Sequence, residues 1–277
     1  MIKVSNLTVN FGKIKALEGV SLNIDRGECI LLAGANGSGK TTLLRTVAGV
    51  LISRSGDIVI DNRDVGPATR EKTAYIPTSL SFYNSMKLKE AAALHASFYP
   101  HFTYREIGDF VFDTDRKVGS LSKGEKTLFF LSLALSTSPD YLLIDDVIHF
   151  LDPHLREIFL KTILQLIEEK ELSVVIAAQS AADIEGVLER VVVLDKGKVV
   201  LDDSMETLKQ SFVRFYGETI PQHLPVVFQK DWEGMKEFYV YPFEPGMKPG
   251  NEGDQRMEYL TMAEILRAFI GGEYDRR

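Results

Sequence analysis

Polar and apolar positions alternate along "IKVSNLTVNF" (residues 2–11), which predicts a half-buried antiparallel strand, and "GVSLNI" is expected to pair with it. "ECILLAG" is apolar almost throughout, so it predicts a strand buried on both faces, running into a Gly-rich turn and then a helix in "KTTLLRTVAGV". "GDIVID" and "KTAYIP" read as further strands, each bounded by Gly, Pro or charge. Between about Ser79 and Pro139 the period turns helical. Three helices are expected there, in "MKLKEAAALHASFY" (stopped by Pro100), in "YREIGDFVFD" and in "SKGEKTLFFLSLALSTS". The alternation then resumes with a strand at Tyr141–Asp145, a helix from about Pro153 to Lys170, the strand "SVVIAA", a short helix and the strand "RVVVLD". Strands alternating with helices predict an α/β core carrying a helical insertion.

Past about Phe212 the pattern changes. "VRFYG", "PVVFQK" and "EFYVYPF" are aromatic-rich strand candidates, "EPGMKPGNEGDQ" is a Pro/Gly loop, and "MAEILRAF" is a short amphipathic helix with Met262, Ile265, Leu266 and Phe269 on one face. The expected division is a main domain over 1–214, with its helical subdomain at about 79–139, and a small α+β extension over 215–277. The strands of that extension fit equally as edge additions to the main domain.

Composition narrows the classes. The chain has 277 residues, 45% hydrophobic and 26% charged, as in a soluble globular protein. A net charge of −7, from 32 basic and 39 acidic residues, gives no basic excess, so no nucleic-acid partner is expected. No apolar run approaches the roughly 18 residues of a membrane span, and "MIKVSNLTVNFGK" has no secretory h-region. Cytoplasmic placement is expected by elimination. The single cysteine, Cys29, allows no internal disulfide and reads as a small buried filler.

The chemistry concentrates in "GANGSGKTT", Gly34 to Thr42, which matches G-x-x-x-x-G-K-[ST] between a predicted strand and a predicted helix. In such a loop the backbone around Gly34, Asn36, Gly37, Ser38 and Gly39 turns its N–H groups inward on a phosphate at a helix N-terminus. Lys40 is expected to reach the β- and γ-phosphates, Thr41 to ligate Mg²⁺, and Thr42 to complete the binding set. A nucleoside triphosphate is the implied ligand.

Further along, "LSKGE" (Leu121–Glu125) precedes an apolar helix, the strand ends in the pair Asp145–Asp146, and "FLD" follows at Phe150–Asp152. With the phosphate loop, this order resembles the ATP-binding subunits of ABC transporters over residues 1 to about 210. The "LSKG" form and the terminal "MAEILRAF" are similar to bacterial exporter subunits. The resemblance implies a phosphate-loop NTPase core with an antiparallel β subdomain, an inserted helical subdomain and a small α+β C-terminal extension. It implies Mg·ATP as cofactor, hydrolysis coupled to transport, a second ATP-binding subunit forming a homo- or heterodimer, and a separately encoded membrane permease. Location would be peripheral, on the inner face of the membrane. Phe11 would stack on adenine, unless it is an ordinary core aromatic. Asp145 would hold Mg²⁺, and Asp152 would orient the loop facing the second subunit. Ser122, Lys123 and Gly124 would meet the partner's nucleotide.

Four departures from the usual pattern weigh on hydrolysis. Asp146 stands where the family has a catalytic Glu, with the same chemistry on a stem one methylene shorter; it works through a shifted or second water, or its misplacement can cost on the order of 10²-fold. Gln179 stands at the switch-histidine position and carries no titratable proton. Thr78 replaces a longer Gln that reaches both the metal and the membrane partner. Lys123 and Glu125 alter the signature loop, although Ser122-x-x-Glu125 is also a capping box. Binding residues are complete and hydrolysis residues compromised, so slow turnover is expected. The alternatives are a regulatory ATP-dependent clamp, or the degenerate half of a heterodimer. The histidines at 95, 101, 149, 154 and 223 lack metal-ligand spacing and are expected at the surface or in loops, with His149 near the acids.

Overall fold

The structure is a computed structural model of the whole chain, and it describes all residues except 54, 80–83, 170–171, 218–222, 233–234, 245–246, 248–255, 271–274 and 277. Strands β1 (Ile2–Phe11) and β2 (Ile14–Ile24) form the expected hairpin. With β4 (Ser55–Ile60) and β5 (Arg63–Asp64) they make an antiparallel sheet in the order β2-β1-β4-β5. The central sheet takes β3 (Cys29–Ala33), β6 (Thr73–Ile76), β7 (Tyr141–Asp145), β8 (Ser173–Ala178), β9 (Arg190–Asp195) and β10 (Lys198–Ser204), in the order β10-β9-β3-β8-β7-β6. Its neighbours pair in parallel except β10, which turns back on β9.

The apolar runs of these strands serve two cores at once. Cys29, Leu31 and Ala33 of β3 face one core and Ile30 and Leu32 the other, while β7 divides Leu142 and Ile144 from Tyr141 and Leu143. One core lies under the antiparallel sheet and α1 (Lys40–Val47); the other takes α4 (Lys123–Leu135) and α5 (Pro153–Glu168). Cys29 is fully buried, and burial pushes its thiol up to about 12, as suits an inert filler.

The insertion departs from expectation. Ahead of it, helix α2 (Pro67–Arg70) is a single turn; within it, α3 (Leu88–Ala96) stops four residues short of Pro100. "YREIGDFVFD" is not a helix. Ile107 and Phe110 form an isolated antiparallel bridge, Gly108 adopts φ +53°, and Ile107 and Phe112 are buried in the main core. Burying Ile107 and Phe112 and packing Phe110 against the same core within a few residues overrides the local helical spacing. The short helix after β8 is a 3-10 turn at Glu185–Val187. His95 is part of α3, stacked on Tyr99 at 4.9 Å, rather than a loop residue.

After α6 (Met205–Ser211), a five-stranded antiparallel sheet follows in the order β14-β11-β13-β12-β15. It comprises β11 (Val213–Gly217), β12 (Val226–Trp232), β13 (Met235–Val240), β14 (Met257–Tyr259) and β15 (Asp275–Arg276). Most of the Pro/Gly loop "EPGMKPGNEGDQ" lies outside the described residues. Helix α7 (Met262–Ile270) buries Met262, Ile265, Leu266 and Phe269, and these join the main core with Phe212, Phe228 and Tyr239.

One charge cluster ties the two N-terminal sheets. Asp61, in the β4–β5 turn, accepts from the Met1 ammonium at 2.7 Å, the Tyr141 hydroxyl at 2.9 Å, Arg26 at 2.6 Å and Lys72 at 3.1 Å. Burial alone would raise its pKa, but these four donors outweigh it and hold the carboxyl well below the usual carboxylate range. A folded-state pKa below the unfolded value of about 3.9 stabilises the fold above that pH, and the contribution is lost as pH falls toward the folded value. Thermal melts should therefore drop steeply below about pH 4. Asp61→Asn should melt several degrees lower at pH 7, at about 2–4 °C per kcal/mol lost, with a shallower acid dependence. Equal melting temperatures at pH 7 would contradict this account.

Candidate functional site

The phosphate loop leaves β3 at Gly34 and enters α1 at Lys40. Its glycines are required by position. Gly39 adopts φ +113°, and a Cβ there would lie 2.6 Å from the Ala16 carbonyl oxygen; at Gly34, φ is +152° and a Cβ would lie 2.4 Å from the Leu194 oxygen. Gly197, in the β9–β10 turn, donates to the Ser38 carbonyl at 2.9 Å and accepts from the Glu18 N–H at 2.8 Å, so the loop is propped against β2. Lys40 is buried and donates to the carbonyls of Gly34 at 2.7 Å and Ala35 at 3.0 Å. Burial lowers its pKa, against the opposing charges of Asp146 and Asp145.

These features fit a polyphosphate. The N-terminus of α1 has no side-chain cap, a buried ammonium stands beside it, and the buried Ser38 Oγ has no hydrogen-bond partner among the described residues. Phe11 lies at the exposed tip of the β1–β2 hairpin, 52% accessible, and is not a core aromatic. Thr42 uses its carbonyl to hold the Thr46 hydroxyl at 2.7 Å.

Strand β7 delivers Asp145, 1% accessible, to the end of the loop. Thr41 Oγ1 donates to Asp145 Oδ1 at 2.9 Å, bringing a hydroxyl and a carboxylate oxygen together, the hard donors that Mg²⁺ takes. Thr78 Oγ1 donates to the Asp145 carbonyl at 2.8 Å, which places it beside the strand end. The other carboxylate oxygen accepts from the Tyr75 hydroxyl at 2.9 Å, and Arg45 Nε donates to that hydroxyl at 3.3 Å. Burial and the adjacent Asp145 raise the Tyr75 phenol to about 12, with Arg45 opposing, so it stays a donor at neutral pH. Sequence inspection missed Tyr75 and Arg45; the only signal was the alternation in "TAYI", which turns Tyr75 toward the α1 side of the sheet.

Asp146 has left-handed backbone, φ +54°. Gln179, just past β8, donates through Nε2 to Asn36 Oδ1 at 3.1 Å, linking the switch position to the phosphate loop. Asn36, Asp146, His149, Gln179, Ser180 and Asp183 line one open cavity of about 400 Å³. Asp152 caps α5, accepting from Leu155 N–H at 2.9 Å. Ser122 and Glu125 form the reciprocal capping box of α4, at 3.1 and 2.7 Å, reinforced by Arg116 at 2.7 Å from Glu125. Lys123 does not extend freely; its ammonium lies 4.9 Å from the Phe150 ring centroid. Gly124 is required by packing, since a Cβ would lie 2.8 Å from Leu155 and 3.0 Å from the Phe150 carbonyl.

A family profile described as "ABC transporter" matches residues 17–149. The sulfate/thiosulfate import ATP-binding protein CysA of Bradyrhizobium diazoefficiens is 31% identical over 245 residues, spanning 81% of this chain and 71% of its own. The chain belongs to the ABC transporter ATP-binding family. The energy-coupling factor transporter ATP-binding protein EcfA2 of Thermotoga maritima is 35% identical, over 73% of this chain and 80% of its own. The lantibiotic transport ATP-binding protein SrtF of Streptococcus pyogenes is 26% identical, over 76% and 96%. Among solved structures, an ATP-binding subunit of an ABC transporter superposes with a TM-score of 0.66 at 25% identity, over 76% of this chain and 92% of that one. The fold is that of ABC ATPase cassettes, and the protein is an ATPase whose ATP hydrolysis is coupled to transport. Such ABC domains work as dimers with a transmembrane permease. No helix among the described residues is long and apolar enough to cross a membrane.

Proposed function

We propose that this ABC ATPase binds Mg·ATP at the loop 34–42 and hydrolyses it slowly, powering a separately encoded permease of exporter type. The observation that carries the binding half is the complete set around Lys40: a buried ammonium at an uncapped helix end, with Thr41 and Asp145 in contact at 2.9 Å. On this reading Gly34, Asn36, Gly37, Ser38, Gly39 and Thr42 surround the phosphates and Phe11 takes the adenine. Thr41 and Asp145, with Thr78 nearby, hold the metal. Ser122, Lys123 and Gly124 face the nucleotide of a second subunit, with Asp152 steadying the intervening loop. Slow turnover follows from the short acid at 146 and the non-titratable Gln179. Residues 1–214 form the cassette and 215–277 an extension whose helix α7 packs into the cassette's core. The protein acts at the cytoplasmic face of the membrane.

Export is supported by the resemblance of the "LSKG" signature form to exporter subunits. Import is the second reading, favoured by the higher identity to CysA. Inside-out vesicles carrying the protein with its permease separate the two: ATP-driven accumulation of substrate means export, and ATP-driven loss means import. Light scattering in Mg·ATP should show a doubled mass. A mass unchanged by ATP, with no second subunit co-purifying, would overturn the dimer.

A further inference from the structure

His149 stands in the 3-10 turn Ile148–Phe150, immediately after the paired acids, and lines the same cavity as Asn36, Asp146 and Gln179. Its Nδ1 lies 3.6 Å from Asp146 Oδ1, and its ring centroid lies 4.0 Å from that of Phe150, whose ring also carries Lys123. The left-handed turn at Asp146 reverses the chain so that the imidazole, three residues on, returns beside the carboxylate. The ring is pinned on one side and open on the other, with 54% of the side chain accessible. The other charged groups around it are Asp183, held by Arg156 of α5 at 2.5 Å, Lys40 of α1, which senses both acids, and Lys123 of α4 beyond Phe150.

We propose that Asp146 acts through His149: the carboxylate holds the Nδ1–H, and Nε2 accepts the proton of the water that attacks the γ-phosphorus. This rests on the hydrolysis proposed above. The water oxygen forms the new bond to phosphorus, the bond from phosphorus to the β,γ-bridging oxygen breaks, and ADP leaves. The water's proton goes to Nε2 and then to solvent from the open side of the ring, leaving inorganic phosphate. An ionised carboxylate behind an imidazole fixes its tautomer and stabilises the imidazolium that forms. A separation of 3.6 Å suits such a pair, since catalytic hydrogen bonds often tighten only once substrate is bound. The cavity then holds the titratable base that position 179 lacks.

The test is kcat against pH for wild type, His149→Gln, Asp146→Glu and the double variant, with Lys40→Ala as baseline and affinity for a non-hydrolysable ATP analogue measured alongside. His149→Gln should lower kcat at pH 7.5 by on the order of 10²-fold at unchanged affinity. It should also change the shape of the limb of the kcat–pH profile, which a purely structural loss would leave intact. In the Asp146→Glu background, where the longer acid reaches the water itself, the same substitution should cost little. An unchanged kcat and limb in His149→Gln overturns the proposal, as does an equal loss in both backgrounds, which would mark a structural role. Wild type no faster than Lys40→Ala would instead overturn the hydrolysis itself, and the dyad with it.

Discussion

Replacing Lys40 with Ala should abolish measurable hydrolysis and weaken ATP binding while leaving the fold intact. Lys40 is 6% accessible and, among the described residues, its ammonium is bonded only to loop carbonyls, so its loss breaks no contact between sheets. What goes is the charge-assisted bond to the phosphates, worth about 1.5–3 kcal/mol, or about 10- to 10²-fold in affinity. Losing a positioned donor in the transition state adds on the order of 10²–10³-fold in kcat. Thermal shift with Mg·ATP reads both halves of the expectation. Wild type at about 100 times its dissociation constant should gain about 2.7 kcal/mol, and hence roughly 5–10 °C. Lys40→Ala should melt near the wild-type value without nucleotide and gain little with it. A full ATP-induced shift in the variant would move the binding site away from this loop.

The elements that were legible in advance share a physical cause. Strands β3, β7 and β8 bury both faces, and their apolar runs are too short and too closely bounded by turn residues for a helix, while the phosphate loop's glycines answer to local backbone geometry. The segment 104–113 failed because Ile107, Phe110 and Val111 follow the i, i+3, i+4 spacing of a helix, while Ile107 and Phe112 are drawn into a core assembled from α4, α5 and β7. Tyr75 was invisible for a related reason. Its bond to Asp145 depends on β6 lying beside β7 with Tyr75 opposite Leu143, a register that no local pattern encodes. For His149 the sequence offered nearness to the acids, with a role at the ATP site as the alternative; its approach to Asp146 depends on the left-handed backbone at Asp146 itself. The signature segment was legible in its capping sense: Ser122 and Glu125 form the reciprocal capping box at the start of α4.

Asp146→Glu should raise kcat by on the order of 10-fold or more and lower stability at the same time. The gain comes from reach. The added methylene brings the carboxylate toward the attacking water, and misplacement of a catalytic group can cost on the order of 10²-fold. The loss comes from the backbone, because Asp is among the few side chains that tolerate the left-handed region, and a longer acid at φ +54° carries strain of about 1–2 kcal/mol. That corresponds to a melting temperature lower by about 2–8 °C. The two effects separate in one preparation, by steady-state ATPase and a thermal melt, with ATP affinity as the control that stays constant. A Glu variant slower than wild type would mean that this backbone does not aim the longer side chain at the phosphate. Asp146 would then be fitted to its own turn rather than handicapped by its length, leaving its imidazole neighbour as the group that takes the proton.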